Sequence, residues 1–87
     1  MKHRALPRFW KLYRQLPKDT QELADKNFDL LKSDPQHPSL HFKKVDPVRK
    51  IWSARVGVQY RALGVEKSDG IVWFWIGTHA EYDKLVK

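Results

Sequence analysis

A solid apolar run, Ile71–Ile76, stops at Gly77 and is followed at once by Thr78, His79, Glu81, Tyr82 and Asp83. Six apolar residues rich in Trp, Phe, Val and Ile suit a strand buried on both faces. The polar cluster is therefore delivered to the end of a rigid central strand. His79 is the sharpest candidate, because an imidazole titrates near neutrality and can give or take a proton. Of the other histidines, His3 is near the terminus, His37 lies between prolines and His41 begins a strand. Tyr82 shares the face of His79 if the tail turns helical. Its hydroxyl could position a substrate or, with a lowered pKa, exchange a proton. The plainer readings are a histidine satisfied by a local hydrogen bond and a ring that simply packs on the sheet.

Arg55 and Arg61 lie on neighbouring predicted strands joined by a tight turn at Gly57-Val58. On one face they would form a cationic platform, and guanidinium forks match phosphate geometry. The alternative is a pair of surface arginines bridged to Glu66 or Glu81. Arg61 also shares its strand parity with Leu63 and Val65, which sits awkwardly with a polar face. Lys43 and Lys44 are consecutive, so only one can point to a given face. Arg49 and Lys50 follow Pro47 in a connection. All four could add to the platform or serve as solvated edge lysines and arginines.

The charge pattern agrees with a polyanion partner. The chain of 87 residues carries a net charge of +7, with +6 in residues 1–18, −3 in 19–40, +5 in 41–61 and −1 in 62–87. Two basic blocks around an acidic one form a footprint for a phosphate backbone or an acidic partner. The plain alternative is a solvated surface that keeps a small protein soluble. With no cysteine, disulfide frameworks and thiolate metal sites are excluded, which fits a reducing, cytoplasmic setting. No run approaches the ~18 apolar residues of a membrane span, and no apolar segment follows the charged start to make a signal peptide. Glycines are scattered singly, so no phosphate loop is present, and His79 with Glu81 has no metal-triad spacing. Neither Ser53 nor Ser68 has a nucleophile's context.

The elements that must hold these residues read as one domain, 1–87. Phe9, Leu12, Tyr13 and Leu16 form one helical face, with Pro7 in the first turn and Pro17 ending it. Asp19 and Glu22 resemble a capping box for a second helix, with Leu23, Ala24, Phe28 and Leu31 inward. Then the period becomes two: His41–Val45, Ile51–Val56, Gln59–Lys67 and Ile71–Ile76, with Asp69-Gly70 supplying a positive-φ hairpin turn. Trp52, Ala54 and Val56 take one face and Ile51, Ser53 and Arg55 the other. The outcome is a two-layer α+β domain: an N-terminal helical hairpin on a small, mostly antiparallel sheet, with a short C-terminal tail or helix.

In order along the chain, Gln15-Leu-Pro17, Asp34-Pro35, Leu40-His-Phe-Lys-Lys-Val45, Trp52-Ser-Ala-Arg-Val-Gly57, Tyr60-Arg61 and Gly77-Thr-His-Ala-Glu-Tyr82 resemble the RelE/ParE superfamily of type II toxins. The resemblance implies a concave sheet face that cleaves mRNA on the ribosome without a metal or other cofactor. The RNA's own 2′-hydroxyl attacks the adjacent phosphate, so a base, an acid and cations for the phosphorane are needed. It further implies that Arg61 contacts phosphate, that His79 stands at the post-strand catalytic position, that Tyr82 matches a C-terminal tyrosine, and that Lys43 and Lys44 help bind RNA or ribosome. A cognate antitoxin is implied as partner, its acidic or amphipathic segment masking the basic face. Two departures stand out. Met1–Leu6 has little β character where the family starts with an edge strand, and Ile51 and Ser53 replace lysines of the best-known ribosome-dependent members. The ParE branch shares the fold but poisons DNA gyrase. A non-catalytic basic module that binds nucleic acid or an acidic peptide is the third alternative.

Overall fold

The computed structural model describes residues 2–86. Nine short elements follow one another: β1 (Lys2–Ala5), α1 (Pro7–Arg14), α2 (Lys18–Ser33), a 3-10 turn (Pro38–Leu40), β2 (Lys43–Asp46), β3 (Ile51–Val56), β4 (Tyr60–Lys67), β5 (Gly70–Thr78) and α3 (His79–Val86). The sheet order is β1-β5-β4-β3-β2, antiparallel except where β1 runs parallel to β5. The edge strand that Met1–Leu6 gave little reason to expect is therefore present, though only four residues long. Gly70 makes room for it. A Cβ there would collide with the backbone of Lys2. That close approach, rather than a positive φ, is what Gly70 provides: the turn is Ser68-Asp69, and among the described residues the only glycine with positive φ is Gly57.

The hairpin α1–α2 covers one face. Pro7 sits in the first turn of α1 and the helix stops before Pro17, as the proline positions dictate. Tyr13 donates its hydroxyl to Asp25 at 2.8 Å, tying the two helices together. Asn27 donates to the Arg55 carbonyl at 3.2 Å, tying α2 to β3. Phe9, Leu12, Tyr13 and Leu16 pack on a core of Ala24, Leu31, Leu40, Ala54, Val56, Ala62, Ile71, Trp73 and Ile76. Two expectations fail here. Leu23 and Phe28 are each 39% exposed, not inward. No side chain caps α2 at Pro17, and Asp19 lies inside the helix, accepting only from the Thr20 amide at 2.9 Å. A largely apolar cavity of about 230 Å³ remains between the hairpin and the sheet.

The opposite face is not bare. Leu63 pairs with Trp75 and Gly64 with Trp73, so Phe74 is an extra residue on β5. This bulge sends Trp73 to the hairpin side and Trp75 to the other. There Trp75, Leu63 and Tyr82 make a second small core, joined by Val45, Ile51 and Phe74. Arg61 shares its parity with Leu63 because both belong to this second face. The apolar half of that face is covered by α3, and the basic half lies beside it. Among the described residues, no helix is long and apolar enough to cross a membrane.

Candidate functional site

Arg55 and Arg61 stand directly opposite each other in the β3–β4 ladder, and Arg61 in turn faces Gly77 of β5. The three positions form one row across the sheet at the end where α3 begins. Neither arginine has an acid within ion-pair distance among the described residues. The two carboxylates that could have served are engaged elsewhere. Glu66 accepts from Trp52 Nε1 at 2.8 Å and lies 3.2 Å from Lys44, and these donors hold its carboxyl below the usual range. Glu81 accepts from the Thr78 amide at 3.0 Å and from its hydroxyl at 2.9 Å, and those bonds lower its pKa likewise.

Those last bonds are a capping box. Thr78 Oγ1 accepts from the Glu81 amide at 3.2 Å while Glu81 reaches back to the Thr78 amide. The pattern Thr-x-x-Glu was legible in the sequence, and it makes His79 the first helical residue. The His79 amide donates to the Gln59 carbonyl at 2.7 Å, fastening α3 to the β3–β4 turn. Gly77 has no room for a side chain, since a Cβ would strike the Trp75 ring and crowd Glu81 Oε1. The helix can therefore fold tightly back over the sheet.

On that helix His79 remains open, with 47% of its side chain exposed, and its Nδ1 lies 3.4 Å from Asp83 Oδ2. Tyr82 is 8% exposed. Its ring centroid is 5.8 Å from that of His79 and 5.4 Å from the Arg61 guanidinium carbon. Arg61 thus lies on the face of an aromatic ring, where a cation is attracted by the quadrupole. Its Nε and Nη1 are buried and have no hydrogen-bond partner. Buried donors without partners cost about 1–3 kcal/mol each, and an anion is an acceptor that would satisfy them. Arg55 is better tied: Nε donates to the Gly57 carbonyl at 2.9 Å and Nη1 lies 3.4 Å from His41 Nε2. Arg55, Val58, Gln59, Arg61, Thr78, His79 and Ala80 line an open depression of about 460 Å³.

The family model described as a ParE-like toxin domain matches residues 18–84. The chain belongs to the RelE/ParE superfamily of toxins. In fold this toxin is similar to the RelB–RelE antitoxin–toxin complex of Methanococcus jannaschii, at TM-score 0.74 and 14% identity, over 97% of this chain and 99% of that one. The archaeal RelE–RelB complex of Pyrococcus horikoshii gives 0.69 and 17%, over 88% and 92%. The YoeB/ParE toxin of Agrobacterium tumefaciens gives 0.68 and 15%, over 91% and 99%. No curated protein sequence matches the chain.

Within the toxin, the residues singled out from sequence divide into two groups. Arg55, Arg61, His79 and Tyr82 come together. Lys43 pairs with Ser53 and so lies on their face, whereas Lys44 pairs with Trp52 on the hairpin side and is held by Glu66. Arg49 and Lys50 sit at the far end of β3. The Arg49 amide, and with it the Arg49 side chain at 2.7 Å, holds the Asp46 carboxyl low. Lys50 occupies a turn with φ of 58°. Ser53 is 0% exposed, and its hydroxyl has no partner among the described residues. Sequence reasoning assigned no role to Asp83, Gln59 or His41; an i,i+4 spacing from His79 is the signal that would have found Asp83. Among the described residues, no group of three or more His, Cys, Asp or Glu is placed to hold a metal ion.

Proposed function

We propose that this toxin is an endoribonuclease acting on mRNA in the ribosome and held in check by a cognate antitoxin. The observation that carries the reading is Arg61, with two buried, unpartnered guanidinium nitrogens on the Tyr82 ring next to an exposed His79. A phosphate seated on Arg61 supplies the missing acceptors, and they gain most when the phosphorane gathers charge. In this reading Asp83, 3.4 Å from Nδ1, orients the His79 ring, and Nε2 serves as the base. The base removes the proton from the RNA 2′-hydroxyl. That oxygen forms a bond to the adjacent phosphorus, and the bond to the 5′-oxygen breaks. The leaving oxygen takes a proton from solvent, giving a 2′,3′-cyclic phosphate and a 5′-hydroxyl. Tyr82 acts as the platform that holds Arg61. The antitoxin is supported by solved relatives of this fold that are antitoxin–toxin complexes.

The test is primer extension on a defined mRNA programmed into 70S ribosomes, with wild type beside His79→Ala. Cleavage by wild type alone is expected. A second reading, DNA gyrase poisoning, is favoured by the ParE-like description of the matching family. Inhibition of gyrase supercoiling with no mRNA cleavage would replace the first reading by the second.

A further inference from the structure

The basic row continues past Arg55 to a residue that the cleavage chemistry does not use. His41 closes the 3-10 turn with φ of 43° and donates its amide to the Pro38 carbonyl at 3.3 Å. This left-handed residue turns the chain from Leu40, 1% exposed in the core, into β2. It also sets the imidazole beside Arg55, with Nε2 3.4 Å from Nη1. An arginine can only donate, so Nε2 is the acceptor and the imidazole proton sits on Nδ1. Arg55 is therefore gripped at two points, by the Gly57 carbonyl and by His41. Its remaining N–H groups make no hydrogen bond among the described residues. Lys43 joins from the same side. It is paired with Ser53 and is thus the diagonal neighbour of Arg55, within reach of long side chains. Among the described residues no acid forms an ion pair with His41, Lys43 or Arg55.

Two separately held guanidinium groups follow. Arg61 lies on the Tyr82 ring, while Arg55 is directed toward the Gly57 turn and His41. We infer that Arg55 and Lys43 form a second phosphate subsite, with His41 as its positioning residue, taking the phosphate next to the one on Arg61. A single-stranded RNA then crosses the strands rather than running along them, because the two subsites are on adjacent strands. The inference rests on the RNA reading above and adds the path of the strand.

The subsite is tested with RNA that cannot be cut, methylated at every 2′-oxygen. A dinucleotide carries one phosphate and a trinucleotide two, and their affinities are measured by titration over a range of salt. The variant is His41→Gly, since glycine adopts positive φ freely and the backbone is undisturbed. Wild type should bind the trinucleotide roughly tenfold more tightly, as a charge-assisted phosphate contact warrants. Its log–log salt slope should be steeper by about 0.7, one further phosphate neutralised on a single strand. His41→Gly should lose that gain and leave dinucleotide binding unchanged, and Arg55→Gln should lose the gain as well. Combined, they should lose no more than Arg55→Gln alone, as residues acting through one another do. An unchanged trinucleotide gain in His41→Gly, or an equal loss for both ligands, overturns the subsite. Wild type that binds neither RNA overturns the subsite, and cleavage on 70S ribosomes retained in that case shows that the RNA reading stands without it.

Discussion

Arg55 and Arg61 are direct cross-strand neighbours with like charge, and neither has a carboxylate partner among the described residues. Like charges opposite one another cost roughly 0.2–1 kcal/mol, and the buried, unpartnered nitrogens of Arg61 cost more. The cation–π contact with Tyr82 offsets about 0.5–1 kcal/mol of this. The balance says that Arg61 is retained at the expense of the fold. Arg61→Met, similar in length and free of donors, should raise unfolding stability by about 1 kcal/mol while removing toxicity. Urea denaturation reads the first and growth arrest the second. A lower midpoint in the variant would show that Arg61 is structural, and the site would lose its main support.

His79 is held by Gln59 through its amide and faces Asp83 through its ring, so changing the ring leaves α3 anchored. His79→Gln should keep the wild-type circular dichroism and lose about 10²–10⁴-fold in cleavage rate, the usual worth of a general base. Asp83→Asn should lose less and act on kcat rather than KM if, as proposed, Asp83 orients the imidazole from behind. A pure KM effect for Asp83→Asn would place it in binding instead.

The edge strand carries its own titration. Trp73 Nε1 donates to His3 Nδ1 at 3.2 Å, and Phe28 packs edge-on against the same ring. Burial, with nearby positive charge from Lys32 adding to it, lowers the His3 pKa from its ordinary 6.5. The neutral form is therefore the folded form. Its contribution is complete above pH 6.5 and is lost as pH falls through the depressed folded value. Wild type should be less stable to urea at pH 5 than at pH 8. His3→Gln, whose amide oxygen can accept from Trp73 without titrating, should remove part of that dependence. An identical pH profile in the two proteins would mean that His3 does not hold β1.

The sequence was informative where period and punctuation act locally. Pro7 and Pro17 bound α1, and the alternation of Trp52, Ala54 and Val56 against Ile51, Ser53 and Arg55 put the arginine on the face away from the hairpin. What it hid was non-local. β1 is three polar residues and an alanine that become a strand only because β5 offers an edge and Gly70 offers clearance. The Phe74 bulge cannot be read from a continuous apolar run, and without it the second core under α3 is invisible. In the site, Arg61, His79 and Tyr82 were legible as types at a strand end. The assignment of Lys44 to Glu66 and of Arg49 to Asp46 depended on which carboxylate lay within reach, which spacing alone does not give.

The capping box joins fold to site most directly, because α3 carries His79, Tyr82 and Asp83 and starts at Thr78. Thr78→Ala removes the side chain that caps the Glu81 amide and one of the two donors to Glu81, and should cost about 1 kcal/mol. Thr78→Ser keeps the hydroxyl and should restore it. The pH dependence has a definite sign. The Thr78 amide and hydroxyl hold the Glu81 carboxyl below its ordinary 4.5, so the box is fully present above that value and is lost as pH falls through the lowered one. Protection factors of the α3 amides, exchange referred to the intrinsic rate at each pH, should therefore be high at neutral pH and fall in acid, and Thr78→Ala should show the lowered protection already at pH 7. Cleavage should fall with α3 protection while β3 and β4 stay protected. If exchange in the sheet accelerates equally, the box supports the whole domain and not the site, and α3 is no separate unit that presents His79.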